Sequence, residues 1–225
     1  LVWVCASAAV ACGRIGFAEL PVADAPGPCG VSVALDDHFA GTTIDTTLWK
    51  VNAGAATLTQ NDSLIVQFPA VAQPTDGAGA QQRATTNVLG ECLTARLLES
   101  PTPATHAYCD VGWIAPNRGQ VAWTFDSGLM RATYFDASNG STINVAKAAF
   151  DPSLYLRVRN DASGDTWETS QDGVVFSPFA SAPNDTSVFD PTSASVYFTC
   201  AVVNNGMTTA NAGRGVLEFV HVVMP

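Results

Sequence analysis

Tyr155, Arg157 and Arg159 occupy alternate positions of one segment, and Glu168 follows across a short turn with Trp167 beside it. Such residues on one surface are equipped to hold sugars, because a flat ring can stack on a pyranose while a guanidinium or carboxylate binds two neighbouring hydroxyls. Trp113 and Trp123 offer further rings. The competing reading is structural: a cross-strand Arg and Glu ladder on a solvated face, with the tryptophans in the core.

Other reactive groups are sparse in pattern. The histidines His38, His106 and His221 lie far apart, and the chain contains no G-x-S-x-G, H-E-x-x-H or P-loop sequence. No cofactor is implied. Asp161-Ala162-Ser163-Gly164-Asp165 sets oxygen-bearing side chains at alternate positions with Glu168 beyond, which makes Asp161 and Asp165 the candidates for Ca²⁺. A calcium loop needs about six to eight oxygens and a terminal bidentate Glu, so a plain hairpin turn between Arg159 and Thr166 is favoured. No metal is expected. Twenty acidic residues against ten basic ones give a net charge of −10 without any Lys/Arg cluster, which excludes nucleic acid as a natural partner.

The segment Leu1 to Ala11 is apolar and small, too short to span a bilayer and of the length of a signal-peptide hydrophobic region. It lacks Met and a basic start, so a signal shortened at its beginning is expected. Ala9-Val10-Ala11-Cys12 resembles the lipobox of bacterial lipoproteins, with Cys12 as the lipidated residue and Ala9 departing from the usual Leu. Cleavage as an ordinary signal and a buried first strand are the alternatives. Residues 13–30 carry three Pro and four Gly without periodicity and read as a tether. The expected organisation is signal and lipobox over 1–12, tether over 13–30 and one domain over 31–225. The expected location is the cell envelope, as an outer-membrane or surface lipoprotein held by its lipid alone, or else secreted.

Cys29, Cys92, Cys109 and Cys200 remain in the domain, an even number without C-x-x-C spacing. In an exported chain they read as two disulfides. Three connectivities are open. Cys92 and Cys109 flank one loop on consecutive strands, which favours that pair and leaves Cys29 with Cys200.

Positioning all of these groups is a series of short strands. Leu154, Leu156 and Val158 alternate with Tyr155, Arg157 and Arg159, the period of a half-buried strand. Similar runs occur at residues 63–68, 92–98, 107–115, 121–126, 129–135, 195–203 and 215–224. Turn pairs separate them: Asn61-Asp62, Ser127-Gly128, Asn139-Gly140, Asp172-Gly173 and Asn205-Gly206. With no amphipathic helix and no repeat, the fold expected is a single all-β sandwich of two antiparallel sheets. The sequons at Asn61, Asn139 and Asn184 fall in surface turns, without glycan in a bacterial lipoprotein.

Asp36-Asp37-His38-Phe39-Ala40-Gly41-Thr42-Thr43-Ile44-Asp45-Thr46-Thr47-Leu48-Trp49 resembles the F-x-G-x-x-(L/I)-D-x-x-x-W opening of concanavalin A-like lectin/glucanase domains. Leu154 to Arg159, followed by Ser170-Gln171-Asp172-Gly173, is similar to their strand, hairpin and S-x-D-G segment. The resemblance covers a quarter of the domain and implies a jelly roll. It also implies a test for catalysis, since glycoside hydrolase family 16 enzymes carry E-x-D-x-x-E on one strand, with the two working carboxylates on one face. No such motif occurs: Glu19, Glu91, Glu99, Glu168 and Glu218 are dispersed. The function expected is therefore a non-catalytic, lectin-like module for polysaccharide or another envelope ligand, with Tyr155, Arg157, Arg159, Trp167 and Glu168 as its binding residues. A structural domain that binds an envelope protein, and a hydrolase with an unrecognised site, are the alternatives.

Overall fold

The computed structural model describes residues 29–103, 105–203 and 208–225. The signal and lipobox, Cys12, most of the tether and the Asn205-Gly206 turn lie outside the described residues. Seventeen strands run through the rest: β1 (Ser32–Asp37), β2 (Trp49–Ala53), β3 (Thr57–Gln60), β4 (Leu64–Gln67), β5 (Val71–Ala72), β6 (Gly77–Gln82), β7 (Cys92–Glu99), β8 (Ala107–Ile114) and β9 (Gln120–Asp126). They continue as β10 (Leu129–Asp136), β11 (Ser141–Ala149), β12 (Tyr155–Asp161), β13 (Gly164–Ser170), β14 (Ser177–Ala182), β15 (Ser195–Val202), β16 (Thr209–Ala210) and β17 (Arg214–Met224). Every paired strand is antiparallel.

Two large sheets form a sandwich, the all-β architecture expected. One has the order β14-β13-β12-β7-β17-β4-β3, with β1 also on β17; the other runs β11-β10-β9-β8-β15-β6-β2. Alternation decides what lies between them. Leu156 and Val158 of β12, Leu93, Ala95 and Leu97 of β7, Val111 and Trp113 of β8, and Val121, Trp123 and Phe125 of β9 all join one buried core. Fully burying such side chains stabilises by about 1.5–3 kcal/mol each before chain entropy is counted. Two indole N–H groups stitch the sheets together: Trp167 Nε1 donates to Ala122 O at 2.8 Å and Trp123 Nε1 to Arg157 O at 3.3 Å.

The Asp36–Trp49 segment owes its pattern to one carboxylate. Asp37 accepts from the Phe39 backbone N–H at 2.7 Å and from Trp49 Nε1 at 2.7 Å. This holds Phe39 and Trp49 as a tilted pair, ring centroids 5.8 Å apart, both buried. Phe39 adopts a positive φ of 50° to make the turn, a conformation that costs a non-glycine residue energy unless such contacts fix it.

The disulfides correct the favoured pairing. Cys29 bonds Cys92, and Cys109 bonds Cys200. β7 and β8 are consecutive in sequence but lie in different sheets. Cys92, opposite Arg159, faces outward, whereas Cys109 points into the core and stands directly opposite Cys200 on β15. Strands adjacent in the chain were not adjacent in the sheet. Two disulfides suit an extracellular, oxidising setting, and each closes a long loop, 63 and 91 residues apart in sequence. Chain entropy alone credits each with about 4 kcal/mol.

Candidate functional site

β12 turns Tyr155, Arg157 and Arg159 outward from the eight-stranded sheet, and β13 sets Glu168 opposite Arg157. Arg157 Nε donates to Glu168 Oε2 at 2.6 Å, and both residues are buried. The cover is Phe176, whose ring centroid lies 3.9 Å from the guanidinium carbon. Ser170-Gln171-Asp172-Gly173 shapes that cover: Ser170 Oγ accepts from Gly173 N, while Asp172 Oδ1 accepts from Val174 N and Val175 N, each at 2.9 Å. The backbone donors at Val175 and Val174, followed by the Ser170 hydroxyl, hold the Asp172 carboxyl down at about 2. Tyr155 packs between Arg96, 5.1 Å from the ring centre, and Phe219, 6.0 Å between centroids. Arg159 binds Asp161 and Thr166 Oγ1. Four of the five expected binding residues thus share a face, with Arg157 paired to Glu168 and Arg159 to Asp161 while Arg159 Nε has no hydrogen-bond partner.

Trp167 departs from that set. It pairs with Val158 on the inner face, is fully buried and meets Tyr134 edge-on at 5.3 Å. Its neighbour in sequence, Glu168, faces out for the same reason of alternation.

Asp161 and Asp165 likewise point apart. Asp161 caps the hairpin turn through Ser163 N at 2.8 Å and Gly164 N at 3.2 Å, and the Ser163 hydroxyl is the foremost cause that lowers its carboxyl's proton affinity. Asp165 lies between the sheets on Tyr134 Oη and Asn160 Nδ2, where burial pushes it up to about 6. Two histidines that sequence separates do meet, since His38 Nε2 and His221 Nδ1 each approach Asp36 Oδ1 at 3.2 Å. Among the described residues no three His, Cys, Asp or Glu side chains are grouped to hold a metal ion.

A second set of polar residues occupies the outer face of the seven-stranded sheet. Because Cys109, Val111 and Trp113 enter the core, Tyr108, Asp110 and Gly112 face outward from β8. Register places Asp110 between Thr124 and Thr199, Gly112 between Ala122 and Tyr197, and Tyr108 beside Asp126. Gln81 flanks Tyr197 on β6, and Arg131 flanks Thr124 on β10. Hydrogen bonds order the set: Tyr197 Oη to Gln120 Oε1 at 2.6 Å, Gln81 Nε2 to Ser195 Oγ at 2.8 Å and Arg131 Nε to Asp126 Oδ1 at 2.9 Å. The floor is bare at Gly112 and Gly79, where a Cβ would fall 2.2 Å from Val121 O and 2.5 Å from Phe198 O.

Asp110 is the electrostatic centre of this face. It is 8% exposed, and burial together with the Asp126 charge raises its carboxyl to about 7 against the pull of the Thr124 hydroxyl. Burial and then the Asp110 charge raise the Tyr108 and Tyr197 phenols. The signal for this site was present in Tyr108-Cys109-Asp110-Val111-Gly112-Trp113, whose apolar alternate residues leave Tyr, Asp and Gly on the other face. Chemically the set offers rings, amides and a buried carboxyl for a polyhydroxylated ligand. A retaining hydrolase needs two carboxyls about 5 Å apart; β8 supplies Asp110 alone, and Asp126 on the next strand is tied to Arg131.

No protein-family profile matches the chain, and no curated protein matches it. Solved structures do. A β-1,3-glucanase from Mycobacterium marinum aligns with a TM-score of 0.63 at 14% identity, over 85% of this chain and 99% of the other. The catalytic domain of an endo-1,3-β-glucanase (laminarinase) from Thermotoga petrophila gives 0.62 at 12%, over 85% and 96%. A pseudo β-1,3-glucanase of Mycobacterium tuberculosis, also an immunostimulatory antigen, gives 0.64 at 14%, over 87% and 100%. At these identities the likeness is one of fold, the concanavalin A-like jelly roll.

Proposed function

We propose that this chain is an exported, lectin-like domain that binds polysaccharide on the outer face of its seven-stranded sheet and does not hydrolyse it. The observation that carries this reading is the surface around Asp110, where Tyr108, Tyr197, Gln81, Gln120 and Asn52 flank a floor left bare by Gly112 and Gly79. Rings and amides of this kind suit a sugar chain lying across the strands. The Tyr155 face is less suited, because its arginines are occupied by Glu168 and Asp161. The β-1,3-glucanase names of the structural neighbours make β-1,3-glucan the first ligand to try. Lipid attachment at Cys12 would hold the domain at the bacterial surface, with the two disulfides suited to that setting.

Titration calorimetry of the full chain with β-1,3-gluco-oligosaccharides, supported by a glycan array, tests the reading. Binding that is lost in Tyr108→Ala, whose ring is partly exposed on this face, and kept in Tyr155→Ala is the expected result. No binding to any glycan at millimolar concentration overturns it in favour of an envelope domain with a protein partner. Release of reducing ends from glucan that disappears in Asp110→Asn or Asp126→Asn would make the chain a hydrolase.

A further inference from the structure

Two hydroxyls and then a backbone carbonyl run from Asp110 in single file. Asp110 Oδ1 lies 2.6 Å from Thr124 Oγ1, which lies 2.8 Å from Thr133 Oγ1, which lies 3.3 Å from the backbone oxygen of Ala122. The last of these can only accept a hydrogen bond. If Thr133 gives its one proton to Ala122 O, then Thr133 Oγ1 accepts from Thr124, and Thr124 Oγ1 must accept from Asp110. Every link is then satisfied with a proton on Asp110 Oδ1. With Asp110 ionised both hydroxyls must reverse, and the link to Ala122 is given up.

The surroundings favour the first arrangement. Tyr108 on β8 and Tyr197 on β15 face Asp110 as neutral phenols, and Thr199 is uncharged. Asp126 on β9 brings a like charge, and Arg131 on β10, the nearest cation in register, is spent on Asp126. No ion pair reaches Asp110 among the described residues. A buried carboxylate without a cation is costly, and the acid form relieves that cost.

We infer that Asp110 meets its ligand as a neutral acid, its proton directed inward along Thr124 and Thr133 to the Ala122 carbonyl and its outer oxygen left as an uncharged acceptor. This rests on the ligand site proposed above. In the switch Asp110 Oδ1 takes one proton from solvent, the two hydroxyl hydrogens rotate, and the hydrogen bond from Thr133 to Ala122 O is gained. A ligand that covers Asp110 removes its remaining water and holds the acid form more firmly, so glycan affinity falls as the solution becomes alkaline. Asp110 thereby selects ligands that present a hydroxyl donor at this point and makes their binding depend on pH.

Two measurements test this separately from the site itself. Carbon-13 NMR of the aspartate carboxyls in the ligand-free chain is expected to show one group titrating near 7 that is missing in Asp110→Asn. A midpoint in the ordinary carboxylate range overturns the inference whether or not any glycan binds. In calorimetry, wild-type affinity is expected to fall about tenfold from about pH 6 to about pH 9 for each pH unit by which the ligand raises the midpoint. Asp110→Asn mimics the neutral acid, because its amide can donate to Thr124 and leave its oxygen outward, and should bind at every pH as the wild type does when acidic. Uniformly weak binding by Asp110→Asn, or wild-type affinity that rises with pH, would show a working carboxylate and overturn the inference. Thr124→Val should move the NMR midpoint and Thr124→Ser restore it, which simple loss of packing would not do.

Discussion

Glu91 offers the sharpest test of the buried electrostatics. It lies just before β7, 2% exposed, with its backbone oxygen accepting from Asn160 N at 3.1 Å. Its Oε2 has no hydrogen-bond partner. Burial raises the carboxyl from 4.5 to about 7. For an acid the sign is definite: the folded chain keeps a proton that the unfolded chain has released, so stability is highest at and below 4.5, declines as the pH rises and reaches its full penalty above about 7. At 1.36 kcal/mol per pH unit that penalty is about 3 kcal/mol, a large share of a typical total of about 5–15 kcal/mol. Glu91→Gln removes the charge at nearly constant shape. Urea unfolding should find the variant within about 1 kcal/mol of wild type at about pH 5 and about 2–3 kcal/mol more stable at about pH 8.5. With a slope of about 2 kcal/mol/M the alkaline midpoint should rise by about 1 M. Equal destabilisation at both pH values would mean that a donor serves the Glu91 carboxylate, and would refute the reasoning.

Arg157→Ala should cost about 3–5 kcal/mol in the same assay, because Glu168 would be left buried and unpaired beneath Phe176, while Arg157→Met with Glu168→Leu should recover most of that loss. A cost below about 1 kcal/mol for the single variant would mean the pair is solvated in practice. Gly215 of β17 faces the Cys109–Cys200 disulfide, and a Cβ there would lie 2.3 Å and 2.4 Å from the two sulfurs. Gly215→Ala should therefore lower stability by about 1–3 kcal/mol, with most of the effect absent in a Cys109→Ala, Cys200→Ala background; additive losses would show that the sulfurs are not what the methyl meets.

Most of the fold was legible because burial and periodicity agree. The runs at 107–115, 121–126 and 129–135 became β8, β9 and β10 within a residue or two, and Ser127 and Gly128 take the positive φ values, 50° and 76°, that a tight hairpin demands. β6 was not legible. Gly77-Ala78-Gly79-Ala80 has little strand propensity, yet it forms an interior strand between β15 and β2, fitting where neighbouring backbone leaves no room for a Cβ. β11 was missed for the opposite reason: as an edge strand its residues are largely exposed, and exposure erases the alternation that marks a strand. The disulfide pairing failed because a strand's sheet is a property of topology, which no local pattern records.

The site was harder to read than the fold because alternation says which residues share a face and not what else covers it. Tyr155, Arg157, Arg159 and Glu168 were correctly grouped by period, but the segment that closes over Arg157 comes from Phe176, beyond the turn that Ser170 and Asp172 build. On the other sheet the same period groups Tyr108, Asp110 and Gly112, and there the carboxyl of Asp110 meets the hydroxyl of Thr124. The two faces therefore differ in what remains unsatisfied. Arg157 and Glu168 satisfy each other, so their burial is compatible with a purely structural role. Among the described residues Asp110 has no such partner, and a domain selected for stability alone would gain by replacing it with an apolar residue. A buried carboxyl without a cation beside bare glycine floor is the physical reason to look for the ligand there.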